Sequence, residues 1–238
     1  MHKRPRGSES RPRAGRLAEK ALCVASVAAA VGGTAQAFTI ALAPAAPKTI
    51  YLQIGLGTWT GTYCGGTCNY NPPPANVQTP GTSPGNNATI NVVSVSVAAN
   101  AVGNGAAQAM TTNSTQANSF FDGFAFCNPP NQLYIGGFYR TTGAGAGTVS
   151  VTATVPVSLT DGAGDTIPFS QISWTSSGNS DAGAEPFPAG SFTGTSQSVG
   201  NIAQNQWAES CWTFSYKNTV VPAAGTYTGR VLYTLSAP

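Results

Sequence analysis

Apolar and polar residues alternate along most of this chain with the two-residue period that places every second side chain on one face of a β-strand, and no segment shows the period of a helix. The most regular run is Val149, Val151, Ala153, Val155 and Val157, separated by Ser150, Thr152 and Thr154. It predicts a half-buried strand. Pro156 within the run predicts a sheet edge, because proline has no N–H to give to a ladder. Further on, Cys211-Trp212-Thr213-Phe214-Ser215-Tyr216 puts aromatic residues on every second position. Pro222-Ala223-Ala224-Gly225 breaks that pattern, after which Tyr227, Val231, Tyr233 and Leu235 share a face. Trp207 to Leu235 therefore reads as two strands joined by a turn, a buried aromatic hairpin around which the chain is organised.

Other alternating segments fall at 38–42, 48–54, 88–98, 133–139, 167–174 and 191–199. Within 88–98, Ile90 and Val92 share one face and Val93, Val95 and Val97 the other, so either both faces are buried or a bulge switches the phase. Phe120–Phe126 is an aromatic cluster leading into Cys127. About eight to ten strands with no helix predict an all-β fold, an antiparallel β-sandwich of Ig-like or pilin-like type.

The breakers divide the chain. Residues 38–48 read as an N-terminal arm in which Phe38, Ile40 and Leu42 alternate with polar or small residues, followed by the proline-stiffened spacer Ala43-Pro44-Ala45-Ala46-Pro47; this first strand either pairs within its own domain or inserts into a neighbouring subunit. Residues 49–238 read as one β-sandwich domain. It carries a long Gly/Pro-rich loop region at 55–87, and long ordered loops are often functional. There Trp59, Tyr63 and Tyr70 are a candidate apolar platform for a ligand, with a minor core under the loop as the competing reading.

The first residues change the electrostatic picture. Lys3, Arg4, Arg6, Arg11, Arg13, Arg16 and Lys20 precede the apolar run Ala21–Gly33 and the small-residue ending Thr34-Ala35-Gln36-Ala37. A basic start, a short apolar stretch and a small-x-small ending predict an export signal over residues 1–37, cleaved after Ala37. The apolar run is shorter than the ~20 residues that cross a bilayer, so no membrane span is expected once the signal is removed. The whole sequence has 11 Lys and Arg against 8 Asp and Glu, a net charge of +3. After residue 37 only Lys48, Arg140, Lys217 and Arg230 face six acids, so the basic balance belongs to the signal. Nucleic-acid binding then has no electrostatic footprint. The single histidine, His2, also lies in that segment. Without it, Ser-His-Asp and Cys-His catalysis and His-ligated zinc are excluded for the mature chain.

Four cysteines remain in an exported chain, which implies two disulfides and allows three connectivities. The aromatic strand context of Cys127, beside Phe126, and of Cys211, beside Trp212, favours that pair, leaving Cys64 with Cys68; crossed pairings stay open. Gly81-Thr82-Ser83-Pro84-Gly85 matches the letters of the G-x-S-x-G elbow, but Pro84 has no N–H for an oxyanion hole. It reads as a turn. Asp161 and Asp165 share a tight turn and make a weak calcium candidate without further oxygen ligands at the usual spacing. Asp122, Asp181, Glu185 and Glu209 are scattered and give no support for a carboxylate pair. Trp59 and Trp207 are candidates for stacking on sugar rings, whereas Trp174 and Trp212 sit in strand pattern and read as core. No catalytic residue and no cofactor is expected.

The segment from Pro222 through Tyr227-Thr228-Gly229-Arg230-Val231-Leu232-Tyr233-Thr234-Leu235 to Pro238 resembles the terminal strand of bacterial secreted surface domains. It is similar to the distal motif of W-x-L cell-surface proteins, with Tyr233 at the place of the tryptophan. More loosely it resembles the Gly-Thr-Tyr final strand of spore-coat-U and fimbrial subunits. The resemblance implies a β-sandwich on a cell surface, or one that polymerises into fibres. Together with the signal and the arm, it leads to the expectation of a secreted, non-enzymatic structural or adhesive protein, possible partners being further copies or other surface subunits through Phe38, Ile40 and Leu42. A carbohydrate- or cell-wall-binding module using Trp59, Tyr63 and Tyr70 on a glycan is the alternative.

Overall fold

The computed structural model describes residues 40–44, 49–56, 59–60, 86–87, 90–143, 147–179 and 185–236. In chain order its strands are β1 (Ile40–Ala41), β2 (Thr49–Ile54), β3 (Trp59–Thr60), β4 (Asn86–Asn87), β5 (Val93–Ser94), β6 (Gln108–Ala109), β7 (Thr111–Thr112) and β8 (Leu133–Arg140). They continue with β9 (Thr148–Thr154), β10 (Ser158–Thr160), β11 (Thr166–Pro168), β12 (Ile172–Ser177), β13 (Gly190–Ser191), β14 (Ser196–Ala203), β15 (Gln206–Tyr216) and β16 (Leu232–Ser236). The only helical pieces among the described residues are two short 3-10 turns, Ala99–Ala101 and Phe169–Gln171. Every pair among these described strands is antiparallel. The fold is all-β, and no helix among the described residues is long and apolar enough to cross a membrane.

The larger sheet runs β13-β12-β15-β8-β2, and β15 is its centre. One edge of β15 pairs with β12 and, at Trp207 and Gln206, with β1; the other pairs with β8 and, at Ser215 and Tyr216, with β6. The smaller sheet runs β14-β9-β16. Residues of both sheets share one apolar core: Leu52, Ile135, Tyr139, Trp212 and Phe214 from the larger, Val149, Val151, Ala153 and Ile202 from the smaller. The aromatic alternation from Trp212 to Tyr216 is what points three large rings into that core from a single strand. Trp174 and Trp212 are buried there, with centroids 5.1 Å apart.

Three expectations are corrected. The stretch from Trp207 to Leu235 is not a hairpin: β15 belongs to the larger sheet and β16 pairs with β9 in the smaller. The two strands are not paired with each other, although the Trp212 and Tyr233 ring centroids lie 6.0 Å apart. Nor is the 149–157 strand at an edge. Pairing stops at Thr154, so Pro156 lies past the ladder and β9 sits between β14 and β16. Val155 still turns inward, while Val157 is 73% exposed. Finally, residues 90–98, of which only Val93–Ser94 is strand, need no phase switch: Val93, Val95 and Val97 pack half-buried on the core, and Ile90 and Val92 face outward.

One core residue carries a testable cost. Tyr139 is fully buried, and its hydroxyl has no hydrogen-bond partner among the described residues. A buried unpaired hydroxyl costs ~1–3 kcal/mol of desolvation, so Tyr139→Phe should be neutral or stabilising by about 1 kcal/mol. A urea midpoint that rises or holds at constant m-value checks this; a fall of the size seen for a lost hydrogen bond would contradict it.

Candidate functional site

Around β8 the larger sheet is covered on both faces, and all eight residues of β8 are buried, whereas the outward phase of β12 is exposed or half-buried. Side chains of odd phase on β15, Trp207, Glu209 and Cys211, turn away from the main core onto a second face. There a separate cluster forms from Tyr51, Phe126, Cys127, Tyr134, Phe138, Trp207 and Cys211, with Leu42, Phe120 and Phe121 packed against it. Tyr51, Phe138 and Trp207 form a triangle of rings with centroids 5.6–5.8 Å apart. The segment preceding Cys127 covers this face. It is tied to the sheet by the Cys127–Cys211 disulfide, the favoured pair of the sequence reading, with Cα atoms 5.5 Å apart.

At the centre of the second face lies Glu209, 8% exposed. Three donors converge on its Oε2: the Tyr134 hydroxyl at 2.7 Å, the Trp207 Nε1–H at 2.8 Å and the Ser119 hydroxyl at 2.9 Å. Each comes from a different part of the chain: β8, β15 and the covering segment. Gly136 makes the first of them possible. It stands directly opposite Glu209 in the ladder, and a Cβ there would lie 2.2 Å from the Tyr134 hydroxyl oxygen. With no side chain in the way, the phenol reaches across to the carboxylate. Burial raises the pKa of Glu209 above its ordinary 4.5, against the lowering effect of the three hydrogen bonds, and the charge of Asp122 adds to the rise. Burial, reinforced by the neighbouring carboxylate, drives the Tyr134 phenol well above its own ordinary range.

Beside this centre sits the arm. Ile40 pairs with Trp207 and Ala41 with Gln206 on the outer edge of β15. The Leu42 N–H donates to the Asn205 carbonyl at 2.7 Å, and Arg140 Nε donates to the Ala43 carbonyl at the same distance. Leu42 itself is half-buried against the aromatic cluster. Thus two of the three proposed arm residues, Ile40 and Leu42, lie on a strand and its continuation against the chain's own sheet; Phe38 is outside the described residues.

The remaining candidates distribute as follows. Tyr63, Tyr70, Cys64, Cys68 and the 81–85 turn lie outside the described residues. Trp59 pairs through its backbone with Asn87. Trp207 is buried and hydrogen-bonded, so it does not offer a face for a sugar. Asp161 uses Oδ1 to accept the N–H groups of Ala163 at 3.0 Å and Asp165 at 2.8 Å, closing its own turn. Among the described residues no group of three or more His, Cys, Asp or Glu is placed to hold a metal ion.

Sequence reasoning missed Glu209, Ser119, Tyr134 and Arg140. The usable signal was phase: Glu209 is two residues from both Trp207 and Cys211, so a strand that buries the cysteine in a bridge must bury the carboxylate beside it. No protein family, curated protein or solved structure matches the chain.

Proposed function

We propose that this protein is a non-enzymatic, exported structural or adhesive surface subunit, an antiparallel β-sandwich whose copies associate by adding the N-terminal arm of one to a sheet of the next. The observation that carries the reading is the attachment of β1. It is held to β15 by two residue pairs, on the side of β15 that β12 occupies from Cys211 onward, and its chain continues into β2, which pairs with β8 on the other side of β15. A strand added at an edge gains main-chain hydrogen bonds and side-chain burial in whichever copy supplies the edge. The shared core of the two sheets supports the sandwich, and the basic, apolar and small-residue order of residues 1–37 supports export.

Deleting residues 38–43 should abolish association while leaving the sheets intact. The native mass of the exported protein, read on a non-reducing gel without boiling, is then expected to drop from a heat-sensitive ladder to monomer, with an unchanged β-type far-UV spectrum. Association that survives the deletion would sink the reading.

A further inference from the structure

We infer that the acceptor of the arm is the seat it occupies in its own chain, the outer edge of β15 at Gln206 and Trp207, and that the arm of a second copy takes this seat by exchange. The inference rests on the assembly reading above and adds to it the place of contact.

The seat is built without help from the arm. Asn205 sits in the left-handed region at φ 56°, a conformation that asparagine tolerates better than most residues, where the chain leaves β14 and enters β15. Its N–H donates to the Tyr139 carbonyl at 2.7 Å, and its Oδ1 accepts the Thr141 N–H at 3.0 Å. Both bonds come from the end of β8, so the Asn205 carbonyl that receives the Leu42 N–H is fixed by the sheet. Arg140, buried at the end of β8, presents Nε to the Ala43 carbonyl. The wall beside Leu42 is the aromatic cluster, locked by the disulfide and by Trp207 bonded to Glu209. Removing the arm would leave this set of donors, acceptor and apolar wall standing and open.

The connection also favours exchange. At Gln206 and Trp207, β15 pairs with β1 on one edge and with β8 on the other, and β2 lies beyond β8. Strands β1 and β2 therefore lie three inter-strand spacings, ~14 Å, apart and run in opposite directions. The connecting sequence carries Pro44 and Pro47, which favour an extended path over a compact return. An arm that meets the same residues in its own chain or in a neighbour's exchanges nothing in contact energy, so the linker's preference and the protein concentration decide where it sits. Because the seat lies on the β12 side of β15 and each arm starts from β2 on the other side, successive copies can pass arms along a series.

The register gives the test. Ala41 and Gln206 stand directly opposite each other, and opposed residues of an antiparallel pair are about 4.5–5.5 Å apart at Cα, within reach of a disulfide. Co-exporting one full-length copy carrying Ala41→Cys with another carrying Gln206→Cys should produce a disulfide joining positions 41 and 206 of different chains, identified by peptide mass. If association is lost on deleting residues 38–43 yet no such link forms, the arm docks elsewhere, such as the edge of β16 away from β9; the inference is then overturned and the assembly reading stands. Association that survives the deletion, or its absence from the intact protein, overturns both.

Discussion

Replacing both Cys127 and Cys211 by alanine should lower the unfolding free energy by about 4 kcal/mol. The two residues are 84 positions apart, and the chain entropy that a bridge removes from the unfolded state grows with the loop it closes, to ~4–5 kcal/mol for loops of this size. Both cysteines are buried, Cys211 completely, and paired alanines avoid placing new hydroxyls in that site. A local effect follows the global one. The Phe126 and Cys127 N–H groups both donate to the Ala117 carbonyl, so the bridge fixes a turn that holds the covering segment over the second face. Urea titration of the variant checks the prediction, with the m-value reporting whether the unfolded state has expanded. Because Cys64 and Cys68 remain, substitution is the cleaner experiment than reduction. A loss below about 1 kcal/mol would mean that the unfolded chain is already constrained in this region or that strain in the native bridge offsets the gain.

That bridge was legible in the sequence because alternation and aromatic neighbours gave each cysteine a strand context. The same reasoning placed Val149, Val151 and Ala153 on an inward face and put Trp174 and Trp212 in the core. Periodicity states which side chains share a face but not which strand lies alongside. β16 looked like the partner of β15 because it follows next in sequence, yet its register runs against β9, from Leu232 opposite Thr154 to Ser236 opposite Ser150. Pro156 misled in a related way, since a proline just past a ladder and a proline inside an edge strand read alike. The covering segment has no period at all. What holds it is the disulfide together with Ser119, whose hydroxyl serves two partners by accepting the Phe121 N–H and donating to Glu209, a pattern no local propensity encodes.

The arm illustrates a different limit. Its alternation marked it as a strand, and the prolines behind it marked it as separable, but the seat depends on Asn205 and Arg140, two polar residues that look ordinary in sequence. Their role comes from the sheet's geometry: one sits at the bend between sheets and the other at the end of β8, and these two points converge only after β8 and β15 have paired. The second face has the same origin. A strand such as β8, apolar on both phases apart from Gly136, Gly137 and Arg140, announces that it is covered twice, without saying by what.

Glu209 is where the second face is most easily perturbed. Glu209→Ala should cost about 3–5 kcal/mol, because it leaves the Tyr134, Trp207 and Ser119 donors buried without their acceptor, at ~1–3 kcal/mol each, offset in part by removing a buried carboxylate. Glu209→Gln keeps an oxygen for the three donors and carries no charge, so it should cost far less at neutral pH. The two variants together separate loss of the acceptor from loss of the charge. The sign of the pH dependence follows from the raised pKa. The folded state binds the Glu209 proton more tightly than the unfolded chain, whose carboxyl has the ordinary value of 4.5, so between that value and the folded one the native state holds more protons. Stability from this group therefore rises as pH falls through the folded pKa and is fully gained below 4.5, whereas above the folded pKa the cost of burying the charge is complete. The wild type should thus gain on Glu209→Gln as the pH drops from neutral toward that value. Urea midpoints of both proteins across the range measure the difference. A difference independent of pH would show that Glu209 has equal proton affinity in the folded and unfolded chains, and that the three hydrogen bonds offset its burial.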